Sequence, residues 1–80
     1  MKKEEKEFLN DVKATIEQWN YSYEHYHEYG YFCVDITFDD MDEWAENESC
    51  IWNALNEVID EWEAGIDSDC NKYYLAITTN

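Results

Sequence analysis

Apolar residues recur at helical spacing in the first part of the chain. Phe8, Val12, Ile16 and Trp19 are separated by three or four positions, and Leu9 widens the stripe. Side chains three and four apart lie on the same face of a helix. The pattern therefore predicts an amphipathic helix from about residue 3 to about residue 19.

In the middle of the chain, apolar and other residues alternate strictly. From Phe32 to Phe38 every second residue is apolar, which is typical of a strand with one buried face. The tract before it, residues 20–29, fits two structures. Its alternating residues suit an edge strand joined through Tyr29-Gly30, whereas Trp19, Tyr23 and Tyr26 have helical spacing. Both interpretations stay open from the sequence, with a slight preference for the helix ending within this tract.

A second helix is expected after the central strand. Asp39 or Asp40 can cap it, and acids follow in its first turn, as the helix dipole favours. The apolar face comprises Trp44, Ile51, Leu55, Val58, Ile59 and Trp62. The pattern weakens at residues 46–49, which suggests a break or kink there. Gly65 is a plausible helix stop, and the alternation of KYYLAITT predicts a last strand.

These elements predict one small α+β domain spanning residues 1–80. Two helices should pack on one face of a two- or three-stranded sheet, in the order α-(β)-β-α-β. A helix that joins two strands can place them parallel through a right-handed crossover. At 80 residues, such a domain buries only a modest core, and its 18% aromatic content supplies large rings for that core.

The charge of the chain is extreme and unevenly placed. The formal net charge is -15, with 20 acids against five lysines and no arginine. Residues 14–71 contain sixteen acids and no Lys or Arg. This field repels nucleic acids and anionic membranes, since binding to phosphate requires cationic side chains. The expected partner is therefore a basic protein surface, toward which the same field would steer the chain.

The densest acidic segment is FDDMDEWAENE, where six of the eleven residues are Asp or Glu. Acids two apart on a strand or three to four apart on a helix lie about 6 Å from each other, which resembles phosphate spacing. The alternative is a solubilising surface. Tyr23 and Tyr26 are candidate anchors, because tyrosine is enriched in binding hot spots. The predicted partner-binding residues are Asp39, Asp40, Asp42, Glu43, Glu46, Glu57, Asp60, Glu61, Tyr23 and Tyr26.

No catalytic, metal or cofactor site is predicted. Carboxylates are so numerous that no acid–base pair stands out, and the acidic field opposes activation of a cysteine nucleophile. His25, His27 and Cys33 lack the companion ligands of a zinc motif. The segment DSDCNK begins like a calcium loop, but Lys72 and Thr78 occupy the positions that require Gly and Glu. We therefore expect a protein that is not an enzyme.

The N-terminal sequence and the cysteines suggest a cytoplasmic protein. The opening MKKEEKEFL lacks the apolar stretch of a signal peptide. Cys33, Cys50 and Cys70 are odd in number and widely spaced, so we expect reduced thiols.

In size, charge and expected architecture the chain resembles the small acidic inhibitors carried by phages and mobile elements, including anti-CRISPR and anti-restriction proteins that mimic DNA. The resemblance implies a non-enzymatic inhibitor that occupies the nucleic-acid-binding surface of a CRISPR effector or restriction nuclease in a bacterial cytoplasm. Two alternatives remain: an immunity or antitoxin protein that neutralises a basic nuclease toxin, and an acidic structural protein that self-assembles. Formation of a homodimer is also left open.

Overall fold

The computed structural model describes residues 1–59 and 65–78. Its elements are α1 (Lys3–Ile16), β1 (Tyr21–Glu28), β2 (Tyr31–Phe38), α2 (Met41–Ile59), β3 (Gly65–Asp69) and β4 (Lys72–Thr78). The strands form one sheet in the order β1-β2-β4-β3, with every neighbouring pair antiparallel. The predicted α+β class is confirmed.

The core lies between the two helices and one face of the sheet. The alternating apolar residues of β2 and β4 are buried, and they join the apolar stripes of both helices in a single cluster. The cluster comprises Phe8, Leu9, Val12, Ile16, Phe32, Val34, Ile36, Phe38, Ile51, Leu55, Ile59, Tyr73, Leu75 and Ile77. Both helices therefore cover the same face of the sheet, as predicted, because each has one apolar stripe to bury.

Helix α1 is shorter than its periodicity suggested. It ends at Ile16, and the backbone N–H of Trp19 donates to the Ile16 carbonyl at 3.0 Å, which closes a tight turn beyond the helix. Trp19 still packs against the core from this turn. The helical spacing of Trp19 therefore predicted correctly that its side chain packs on the core, but it predicted wrongly that the helix extends to Trp19.

Residues 20–29 adopt the strand interpretation. β1 pairs with β2 through a two-residue turn at Tyr29-Gly30, where both residues have positive φ, 51° and 81°. Turns of this kind match the twist of antiparallel strands, and glycine adopts positive φ without strain. The slight preference for a helix in this tract was wrong.

Helix α2 is continuous, without the predicted break at residues 46–49. Its N-cap is Asp40, whose Oδ1 accepts hydrogen bonds from the backbone N–H groups of Asp42 and Glu43, both at 3.1 Å. Gly65, the predicted helix stop, is the first residue of β3, and residues 60–64 before it lie outside the described residues. Trp62, predicted on the apolar face of this helix, lies outside the described residues.

Among the described residues the sheet has four strands, one more than the largest number predicted, because β3 was not anticipated. β3 forms a hairpin with β4, so the crossover from β2 through α2 reaches β3 first, and the hairpin then returns β4 antiparallel to β2. The suggested parallel pairing of the two predicted strands is therefore wrong. Asn71, in the β3–β4 turn, fastens the hairpin to the end of β2 by accepting from the Phe38 N–H at 3.0 Å and donating to the Phe38 carbonyl at 2.7 Å.

Candidate acidic binding surface

Five of the predicted partner-binding acids lie where β2 passes into α2. We call this group the acidic edge; it consists of Asp39, Asp40, Asp42, Glu43 and Glu46. Four of the five are exposed, and Glu43 is half-buried. The turn between a strand and a helix brings them together, since Asp39 and Asp40 lie between β2 and α2, and the other three acids lie in the first two turns of α2.

Neutral groups hold three of the five acids of the acidic edge in place. The Ser22 hydroxyl donates to both carboxylate oxygens of Asp39, at 3.0 and 3.3 Å, and the backbone N–H of Asn20 donates to Glu43 Oε1 at 3.0 Å. Asp40 accepts from the backbone as the α2 cap. Hydrogen bonds from neutral donors fix the positions of these carboxylates and leave their negative charge uncompensated.

The remaining predicted acids belong to the far end of α2. Glu57 is exposed and lies about 16 Å along the helix axis from Glu46, on nearly the same side of the helix. Asp60 and Glu61 lie outside the described residues. Glu57 therefore extends the acidic edge along α2 without being part of it.

The two predicted anchors, Tyr23 and Tyr26, are not brought together. They are three positions apart on β1, so their side chains point to opposite faces of the sheet. The Tyr23 ring faces the helices, with Lys13 Nζ 5.1 Å from its centroid. Tyr26 lies on the other face and donates from its hydroxyl to Asp35 Oδ1 at 3.2 Å. A flat partner could contact only one of these rings.

The face of the sheet that points away from both helices is a second acidic surface, which we call the open sheet face. The strand pairings place on it Ser22, Glu24, Tyr26, Glu28, Tyr31, Cys33, Asp35, Thr37, Gly65, Asp67, Asp69, Lys72, Tyr74, Ala76 and Thr78. Five of these are acids and one is a lysine. The face is thus acidic and aromatic, with tyrosines on three adjacent strands.

One row of residues crosses the middle of the open sheet face. Glu24 pairs with Asp35, Asp35 with Tyr74, and Tyr74 with Asp67. Neighbouring strands are about 4.8 Å apart, so Glu24 and Asp35 are like charges directly opposite each other, an arrangement that destabilises a sheet. A depression of 440 Å³ is lined by Glu24, Asp35 and Tyr74 of this row, and Lys72 also lines it.

The open sheet face continues into the acidic edge. Asp35, Thr37 and Asp39 follow one another at every second position of β2 and just beyond it, so all three project to the same side. The contact between Ser22 of this face and Asp39 of the acidic edge joins the two directly. The sequence alone does not associate Asp35 with Glu24, Asp67 and Asp69, because their proximity depends on long-range strand pairing.

The negative charge of the open sheet face contributes to raised pKa values of Tyr26 and Cys33 on this face. Burial and the adjacent Asp35 carboxylate raise the pKa of Tyr26 to about 12. Burial, and then the charges of Glu28 and Asp35, also raise the pKa of the Cys33 thiol. Cys33 is therefore held in its unreactive thiol form at neutral pH.

The candidate metal ligands are dispersed or otherwise engaged. His27 Nε2 contacts Glu5, and Asp67 and Asp69 lie on β3 rather than in a calcium-binding loop. Within residues 1–59 and 65–78, no three His, Cys, Asp or Glu side chains are grouped closely enough to hold a metal ion. No helix in these same residues is long and apolar enough to cross a membrane.

No family model matches the chain, and no curated protein matches it either.

Proposed function

We propose that this protein is a non-enzymatic acidic inhibitor that binds the basic nucleic-acid-binding surface of another protein in place of DNA or RNA. The resemblance in size and charge to small phage inhibitors suggests a bacterial defence nuclease, a CRISPR effector or a restriction enzyme, as the target. It would act in the bacterial cytoplasm, by stoichiometric competition and without turnover.

The observation that carries the proposal is the way in which two acids of the acidic edge, Asp39 and Glu43, are held. Asp39 and Glu43 accept hydrogen bonds from a hydroxyl and a backbone N–H rather than from lysines. An acid whose only task is solubility needs no fixed position. Fixed carboxylates that keep their charge are what a surface built for phosphates requires, because complementarity depends on geometry as well as on sign.

Like charges on the open sheet face give further support. Glu24 and Asp35 oppose each other across β1 and β2, which costs folding free energy. A basic partner would relieve that repulsion on binding. The tyrosines among the acids supply the large, rigid contact area that commonly anchors protein interfaces.

Competition with DNA tests the proposal directly. The protein would be titrated into a purified guide-loaded CRISPR effector and into a purified restriction nuclease, with cleavage of a duplex target as the readout. We expect stoichiometric inhibition of one of them, relieved by excess target duplex. Inhibition should weaken roughly tenfold or more between low and physiological salt, since exposed charges are then screened within about 8 Å.

Matched variants separate the acidic edge from net charge alone. Asp42→Lys with Glu46→Lys replaces two exposed acids of the edge, and Glu4→Lys with Glu17→Lys makes the same change in charge on and beside α1. The first pair should abolish inhibition and the second should leave most of it. Equal losses, inhibition insensitive to salt, or inhibition unaffected by excess duplex would contradict DNA mimicry by this surface.

A further inference from the structure

A groove of 510 Å³ separates α2 from the β3–β4 hairpin. Three aromatic rings line it, those of Trp44, Trp52 and Tyr73, together with the polar side chains of Glu48, Asn53 and Ser68. None of these residues belongs to the acidic edge or to the acids of the open sheet face. The groove therefore needs an explanation of its own.

The helix repeat builds one wall of the groove. Trp44, Glu48 and Trp52 are spaced four apart on α2, so they form a single stripe with the carboxylate between the two indoles. Glu48 is exposed, and Trp52 is 37% exposed although it carries a large apolar ring. An indole left in solvent beside a carboxylate combines apolar area with negative charge.

The rings are held in fixed orientations. The Trp44 indole N–H donates to the Tyr73 hydroxyl at 3.2 Å, and Tyr73 itself is only 2% exposed. The Trp52 ring packs against Tyr73 with centroids 6.2 Å apart. The groove is thus preformed. The indole N–H of Trp44 already has an acceptor, so the rings of Trp44 and Trp52 need not reorganise to receive a ligand.

We propose that this groove binds the side chain of an arginine that projects from a partner protein. A guanidinium stacks on aromatic faces and is attracted by their quadrupoles, most strongly by tryptophan. Its five N–H donors require several acceptors, and Glu48, Asn53 and Ser68 provide a carboxylate, an amide oxygen and a hydroxyl. An ammonium is more strongly hydrated and cannot stack, so lysine fits the groove less well.

This inference rests on the proposed function in one respect, namely that the partner is basic. The arginine bound in the groove would be a specific contact, in addition to the long-range attraction between the acidic protein and its basic partner. Long-range charge steers encounter, whereas a buried, stacked arginine of this kind lengthens the lifetime of a complex.

Small-molecule titration tests the groove without any partner. N-acetyl-arginine amide would be added while the indole N–H signals of the four tryptophans are followed by NMR, with assignment by Trp→Phe variants. The probe is compared with the citrulline analogue, which has the same shape without the charge, and with the lysine analogue. We expect saturable shifts of the Trp44 and Trp52 signals with a dissociation constant on the order of 1 mM.

Two variants localise the effect. Glu48→Gln should weaken binding about three- to tenfold, while Glu17→Gln, the same change at an exposed site after α1, should leave it unchanged; circular dichroism verifies the fold of both. The proposal is overturned by absent shifts, by citrulline binding as tightly as arginine, by lysine binding more tightly, or by equal weakening in the two variants. Since no partner is present, such a failure would leave the competition with DNA by the acidic edge standing.

Discussion

Glu5 Oε2 lies 2.8 Å from His27 Nε2, and this contact fastens the first turn of α1 to the end of β1. Glu5 also accepts the backbone N–H of Lys2 at 2.9 Å, so one carboxylate caps the helix and joins it to the sheet. The Glu5 side chain is only 1% exposed. An ionised carboxylate can only accept, so the ring nitrogen that faces it carries a proton.

The first prediction concerns the pH dependence of this contact. Burial raises the pKa of Glu5, but the Lys2 N–H and the His27 ring outweigh it, and the net pKa lies below 4.5. The stabilisation is therefore complete above pH 4.5 and is lost as the pH falls through the lowered pKa. Glu5→Gln should reduce the free energy of unfolding by about 1 kcal/mol at pH 7 and by progressively less below pH 4.5.

Urea unfolding from pH 3 to pH 7 measures this difference. Glu4→Gln, an exposed neighbour in the same first turn, is the control and should have a small effect throughout. A deficit in Glu5→Gln that stays constant down to pH 3 would show that its cause is packing rather than ionisation.

The second prediction compares the acid that caps α2 with an exposed neighbouring acid of the acidic edge. Asp40 caps α2, so Asp40→Ala should lower the free energy of unfolding by about 1 kcal/mol. Asp40→Asn should recover most of that loss, because the amide oxygen can still accept from the backbone. Asp42→Ala should change stability by less than about 0.5 kcal/mol, since its modest benefit to the helix dipole opposes repulsion from neighbouring acids.

Thermal and urea unfolding monitored by circular dichroism gives these values. If Asp40→Asn were as unstable as Asp40→Ala, negative charge rather than hydrogen bonding would be the contribution of Asp40. The distinction matters for tests of function, because only Asp42 and Glu46 can be reversed in charge without removing a contact described above.

The third prediction follows from the like charges across β1 and β2. Glu24→Thr removes the carboxylate opposite Asp35 and introduces a good strand former, so it should stabilise the fold by roughly 0.2–1 kcal/mol. Glu28→Thr is the matched control on the same strand and face, because Glu28 faces Tyr31 instead of an acid. Under the proposed function, Glu24→Thr should also weaken inhibition.

Urea titrations at low and high salt distinguish charge from strand propensity. The advantage of Glu24→Thr over Glu28→Thr should shrink at high salt, where repulsion is screened. Equal gains for the two variants at low salt would mean that repulsion between Glu24 and Asp35 costs nothing measurable.

The sequence predicted those elements whose signals are local. Strict alternation from Phe32 to Phe38 located β2, because one of its faces is buried over its full length. β1 was ambiguous since its aromatic and histidine residues match both periods, and its pairing with β2 selects the strand. β3 has only one apolar side chain, that of Ile66, so its extended form depends on hydrogen bonding to β4. Its sequence therefore lacks the apolar alternation from which a strand could be predicted.

The same distinction between local and long-range signals applies to the candidate binding surface. The acidic edge was predictable because its members are neighbours in sequence across one strand-to-helix turn. Asp35, Asp67 and Glu24 come from three strands, and only the pairing order β1-β2-β4-β3 aligns them in one row. The stripe of Trp44, Glu48 and Trp52 has helical spacing, but its role as a groove wall depends on the β3–β4 hairpin.

The fourth prediction tests the electrostatics of the open sheet face through Tyr26. Its pKa is raised to about 12, first by burial and then by the charge of Asp35 and the hydrogen bond to it. The folded state therefore favours the protonated phenol, and this stabilisation is complete below pH 10 and disappears as the pH rises to about 12. Asp35→Asn should lower the pKa of Tyr26 toward 10 without reaching it, because burial remains.

Tyrosine labelled with ¹³C at Cζ reports this titration by NMR, and Tyr26→Phe identifies the signal. Circular dichroism recorded alongside establishes the pH range in which the fold persists. Glu28→Gln should shift the same pKa less than Asp35→Asn, because Glu28 contributes more weakly than Asp35 to the elevation. If Asp35→Asn left the pKa unchanged, burial alone would account for it, and the carboxylate at the centre of the open sheet face would exert little field on its neighbours. That outcome would also weaken the argument that this face attracts a basic partner.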